Sequence, residues 1–144
     1  MDADESVPVW FDYAFSIVER MEQAYHHVNH VCHTNAVHMQ YDDAQHVHDC
    51  MWYFLESVDA AEDACYRRED PRPSLERAMH HAAAAVRRVA PYRSRPHARV
   101  RAWLQHAADV ATHGMAVLNG TMTAEDYTDW EMADTDRLAV LAYA

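Results

Sequence analysis

Apolar residues recur along this chain in alternating steps of four and three. From Trp10 they fall at Ala14, Ile17, Met21, Ala24, Val28 and Val31, which is one stripe along a helix of 3.6 residues per turn. A second stripe runs Val47, Met51, Phe54, Val58, Ala61, Cys65. A third runs Leu75, Met79, Ala82, Val86, Val89, and a fourth Val100, Leu104, Ala107, Ala111, Met115, Leu118. No stretch alternates with the period of two that marks a half-buried strand. The pattern predicts an all-α fold: a single compact helical bundle of four main helices plus a short C-terminal helical segment, with residues 1–144 forming one domain.

Punctuation residues place the boundaries. Pro8 suits the start of the first helix, and Pro71 and Pro73 end the second. Ser74 is expected to cap the third helix, which Pro91 ends. Pro96 fits the first turn of the fourth, and Asn119-Gly120 stops it. Thr123 with Asp126 three residues on is a variant capping box. Behind it, Tyr127, Trp130 and Leu138–Leu141 predict one or two short closing helices. An unbroken helix from 8 to 40 would be ~50 Å long, against a radius of gyration of ~15 Å for a domain of this size. A break is therefore expected at Thr34-Asn35 or Asp42-Asp43, with Asp42 and Gln45 forming a second capping box.

Composition agrees with a helical core. Half of the residues are hydrophobic and only two are glycine, so a real core and few tight turns are expected. All 12 basic residues are Arg, a bias that points to a GC-rich microbial, phage or viral source. The formal charge of −11 is uneven: residues 1–66 carry 13 acids and one Arg, whereas 67–101 carry ten Arg and three acids. Such a basic segment either pairs with its own acidic body or presents a basic face to an anion. Cys32, Cys50 and Cys65 are odd in number and form no CxxC. With no signal-peptide pattern and no apolar run long enough to span a bilayer, a reducing intracellular (cytoplasmic) setting is expected, without a membrane partner.

The stretch from His26 to Cys50 holds seven of the 12 histidines. His26, His30 and His33 fall together opposite the first apolar stripe. His46 and Asp49 lie opposite the second, and His46 also stands at i, i+4 from Cys50. Imidazoles at i, i+4 and i+7 stack on one helix face and suit Zn, Ni or Cu. The competing reading is a solvated polar face, since a metal site needs three or four converging ligands. Histidine also titrates near neutrality. Charging all 12 would take the formal charge from −11 to +1.

Two carboxylate pairs stand out: Glu19-Arg20-Met21-Glu22 reads ExxE and Glu56-Ser57-Val58-Asp59 reads ExxD. They resemble the all-α nucleoside triphosphate pyrophosphohydrolases of the MazG type, and that resemblance implies carboxylates holding Mg²⁺ against phosphates. Hard oxygen ligands suit Mg²⁺. Both pairs nonetheless lie opposite the apolar stripes. His48-Asp49 is similar to the HD dipeptide of metal-dependent phosphohydrolases. Arg101–His106 is similar to the RxxxxH of HEPN ribonucleases, although this composition yields such spacings by chance. No nucleophile elbow or Gly-rich phosphate loop occurs.

An acidic helical bundle without a catalytic signature is most economically a non-enzymatic protein-interaction module of inhibitor, immunity or host-modulating type. Its partner would be another protein, basic or helical, received in a helical groove or on an acidic face. The total charge disfavours nucleic acid. Trp52, Tyr53, Trp130, Arg87 and Arg88 are the candidate contact residues, and Trp103 is expected in the core. The alternative is a metal-dependent all-α nucleotide hydrolase or metal-binding bundle using the His and carboxylate faces, with Zn, Ni or Cu at the histidines or Mg at the carboxylates.

Overall fold

A computed structural model describes residues 11–35 and 39–141, less the side chains of residues 11, 12, 33–35 and 96. Pro8 and Trp10, both used above to place the first helix, lie outside the described residues. Five helices pack together: α1 (Phe11–Asn35), α2 (Tyr41–Tyr66), α3 (Arg72–Val89), α4 (Ala98–Leu118) and α5 (Ala124–Leu141). A 3₁₀ turn, Arg95–His97, leads into α4. No strand occurs among the described residues.

The four stripes become the core. Ala14, Ile17, Met21, Ala24, Val28 and Val31 of α1 are all buried, and so is every member of the α2 stripe. On α3 the stripe is displaced. Leu75, Ala78, Ala82, Ala85 and Val89 are buried, while Met79 and Val86 sit at the margin. Alanines at three of those positions bring the neighbouring helices close, because little side-chain bulk separates them.

Helix α1 packs on α2, α2 on α3, α3 on α4 and α4 on α1, so the four main helices form a closed ring. Polar contacts at the two ends mark alternating directions. At one end Arg88 near the end of α3 bridges Asp43 at the start of α2 at 3.2 Å, and the Gln40 N–H donates to the Tyr92 hydroxyl at 3.1 Å. At the other, Arg72 opening α3 donates to Asn119 closing α4 at 3.3 Å. Helix α5 lies outside the ring against α4, with only Tyr127 and Leu138 buried.

Several boundaries differ from expectation. Helix α3 begins at Arg72, so Ser74 sits inside its first turn rather than at its cap. The opening N–H of Arg72 is satisfied instead by Asp70 at 3.0 Å, and the Ser74 hydroxyl accepts from Arg77. Gln40, not Asp42, precedes α2, and it makes no side-chain cap. The C-terminal segment is a single helix of 18 residues, longer than the short one expected. Thr123 caps it as expected, accepting from the Asp126 N–H at 3.0 Å.

The α1–α4 contact depends on Gly114. A Cβ there would stand 2.6 Å from Cγ2 of Ile17, a branched side chain buried on all sides. Gly114→Ala gains ~1 kcal/mol of helix propensity but overpacks the core at a cost of ~1–3 kcal/mol. The expected outcome is a net loss of about 1 kcal/mol in urea unfolding. An unchanged or raised midpoint would show that the helices have room to part.

Candidate functional site

The outer face of α2 carries a stripe of one character. Trp52, Glu56, Asp59 and Asp63 recur at helical spacing. Trp52 is 50% exposed, and its indole N–H donates to Glu56 at 3.0 Å. The α1 residue Glu22 lies close enough to act electrostatically on Asp59 and Glu62. The Asp59 carboxyl is raised above its ordinary range, first by partial loss of solvent and then by the charges of Glu22, Asp63 and Glu56. Glu62 is raised in the same way, by lost solvent and then by Glu22, Asp59 and Asp63. Among the described residues no ion pair involves Glu56, Asp59, Glu62 or Asp63. The two halves of the ExxE/ExxD pattern therefore do approach one another, across the α1–α2 seam.

The other sequence-selected residues are dispersed. Tyr53 is 51% exposed and stacks on His81 of α3 at a ring separation of 5.4 Å. Arg87 and Arg88 line an open cleft of about 750 Å³ with His46 and Tyr92. His26 and His30 are exposed on α1, and His26 lies 3.8 Å from Glu22. The side chain of His33 is outside the described residues. Asp49 accepts from Gln45 at 3.0 Å. Cys50 is buried, and burial followed by the charge of Asp49 pushes its thiol up, away from the thiolate that a metal needs. Among the described residues no group of three or more His, Cys, Asp or Glu side chains is placed to hold a metal ion. No described helix is long and apolar enough to cross a membrane.

The most organised polar cluster was not selected from the sequence. His106 of α4 is only 5% exposed, and its Nδ1 meets Oδ2 of Asp134 on α5 at 2.7 Å. Arg137 holds the other oxygen of Asp134 at 2.9 Å. Burial opposes ionisation of Asp134, but the hydrogen bonds and charges of His106 and Arg137 outweigh it and keep the carboxyl below its ordinary range. Trp130 stacks on His113 at 4.2 Å and on His106 at 5.8 Å. Trp103, at the core margin, meets His106 edge-on at 5.5 Å and carries His27 of α1 at 5.0 Å. Trp130 is thus engaged within the chain. Arg20 completes the seat of α5, bonding Thr128 at 3.3 Å and lying over the Tyr127 ring at 4.8 Å. A cavity of about 290 Å³ opens between α1, α4 and α5, lined by Arg20, His27, Trp103, His106 and Glu131.

No family model matches the chain, and no curated protein or solved structure shows significant similarity to it.

Two outcomes follow from the α4–α5 cluster. Asp134→Ala leaves the buried His106 Nδ1 and the Arg137 guanidinium without their acceptor, so unfolding free energy at neutral pH should fall by ~2–3 kcal/mol. Because the folded carboxyl lies below its unfolded value, that gap is full above about pH 4 and closes on further acidification. A gap that persists at about pH 2 would mean that charge is not its origin. His27 also loses stability on acidification, but because its charged form is disfavoured in the fold. Its pKa is lowered by burial, then by the charges of His106, His26 and His30. The unfolded chain therefore takes up a proton first, and stability present above the ordinary value of 6.5 is lost as pH falls through it. The thermal midpoint should drop between about pH 7.5 and about pH 5.5, less steeply in His27→Gln.

Proposed function

We propose that this protein is a non-enzymatic interaction module that receives a basic helical segment of another protein along the α1–α2 face. The observation carrying this reading is the stripe Trp52, Glu56, Asp59, Asp63 with Glu22 beside it. The carboxylates repel one another, and among the described residues Glu56, Asp59 and Asp63 have no ion-pair partner, while Glu22 meets only His26. Cations arriving from a partner relieve that repulsion, which supports charge-selected docking. A half-exposed Trp at one end of the stripe supplies the apolar anchor that such a helix needs.

Fluorescence titration with an amphipathic Lys/Leu helical peptide, and with its Glu/Leu counterpart, tests this reading. The basic peptide is expected to bind at least about tenfold more tightly than the acidic one, more weakly as salt rises. Trp52→Ala is expected to cost about tenfold. The double variant Glu56→Gln, Asp59→Asn is expected to flatten the salt dependence. Equal binding of both peptides, or indifference to both variants, would sink the proposal.

A second reading rests on the same seam. Glu22, Glu56 and Asp59 are members of the ExxE/ExxD pairs, and their mutual repulsion is what a divalent cation also relieves. Under this reading Mg²⁺ on the seam would hold a nucleotide's phosphates for hydrolysis. Pyrophosphate release from a nucleoside triphosphate panel, abolished by Glu22→Gln, would establish it in place of the interaction module.

A further inference from the structure

Part of the basic segment pairs with the acidic body, as Arg88 does with Asp43. At the end of the bundle where α3 stops and α4 begins, another part lines a cavity of about 390 Å³. The walls are small and apolar, from Val86, Ala90, Ala98 and Ala102. The charged groups are Arg93 from the connecting loop, Arg101 from α4 and Arg137 from α5, and among the described residues no carboxylate lines the cavity. Pro91 and Pro96 bound the loop that carries Arg93.

Two of these arginines are held in place by the chain itself. Arg101 donates through Nη1 to the Tyr92 carbonyl, which leaves Nε and Nη2 for another acceptor. Arg137 uses Nε and Nη2 on Asp134, which leaves Nη1. Side chains pinned by one set of bonds lose less entropy when they make a second. Among the described residues the single acid bound to any of the three is Asp134, behind Arg137, so the cavity presents an excess of about two positive charges. A phosphate monoester carries about −1.5 to −2 at neutral pH and offers three strong acceptor oxygens. A lone carboxylate would leave a cation unmatched. The Ala and Val walls favour an apolar group next to the anion. A volume of about 390 Å³ falls in the range of small-molecule sites.

The geometry points to a binding site for a phosphate monoester carried on a compact apolar group. The headgroup of a phosphomonoester lipid and a free phosphorylated metabolite share this chemistry. The site is separate from the α1–α2 face and does not depend on the function proposed for it.

Calorimetric titration of the full chain with octyl phosphate, kept below its micelle concentration, provides the test. Inorganic phosphate and octanol serve as controls. One saturable site is expected for octyl phosphate, at least about tenfold tighter than for either control. Arg93→Gln, on the exposed loop, and Arg137→Gln are each expected to weaken it about tenfold. A thermal melt of each variant separates lost contact from lost fold, since Arg93→Gln should melt as the parent does. Co-sedimentation with phosphatidylcholine vesicles, with and without phosphatidate, assigns the source. Capture by phosphatidate vesicles that the arginine variants lose marks a lipid headgroup, and octyl phosphate binding without capture marks a soluble ligand. Octanol binding as tightly as octyl phosphate, binding unaltered by Arg93→Gln, or no saturable binding of either phosphate form would overturn the proposal.

Discussion

The bundle closes where α1 meets α4. These helices are the first and last of the ring, and nothing local in the chain brings them together. Their approach is set by Ile17 lying over the bare Cα of Gly114, where no Cβ fits. Closure turns four amphipathic helices into one core, because each apolar stripe then has a neighbour on both sides. It also creates the outer groove in which α5 sits, and so fixes the positions of His27, Trp103 and His106.

Helix α5 is held differently from the other four. It buries only Tyr127 and Leu138, too little apolar surface to fix its rotation and register by packing alone. The His106–Asp134 pair, the Arg20 contacts and the stacked Trp130 supply direction. Buried polar pairs contribute modest net stability, but a misplaced α5 would leave each of them unsatisfied. That penalty for the wrong position selects the right one. Arg137 extends the network to the basic cavity, so the seat of α5 and the proposed anion site share Asp134.

The fold was largely legible in the sequence. The stripes, the stop at Asn119-Gly120 and the Thr123 cap all depend on residues within one or two turns of each other; the structure reproduces the stop, the cap, the α2 stripe and the described part of the α1 stripe, and shifts the α3 stripe to Ala78 and Ala85. Ser74 was misread because Asp70 reaches the same backbone end from outside the helix. The α5 helix runs longer than the one or two short helices expected, an extent hidden from the sequence because its outer side is polar and Leu138 is the one aliphatic side chain it buries. For the candidate sites, the half-exposure of Trp52 and Tyr53 followed from their place beside the α2 stripe. The His106–Asp134 pair did not, since its members lie 28 residues apart on different helices. A histidine on an apolar face was the one signal available, and it was spent on an uninformative spacing to Arg101.

Sequence alone determined which residues turn inward, since the helical period is a local property and apolar side chains leave water wherever the fold permits. It also determined the segregation of charge, with acids in the first half and arginines between α2 and α4. Only the tertiary structure decided which charges meet. Helix pairing placed Glu22 beside Asp59, left Glu56, Asp59 and Asp63 without an ion pair among the described residues, and gathered Arg93, Arg101 and Arg137 around apolar walls. The physical reason is range. Periodicity acts over a few residues, while Coulombic and hydrogen-bonding partners are chosen by distances in space that exist only once the helices have packed.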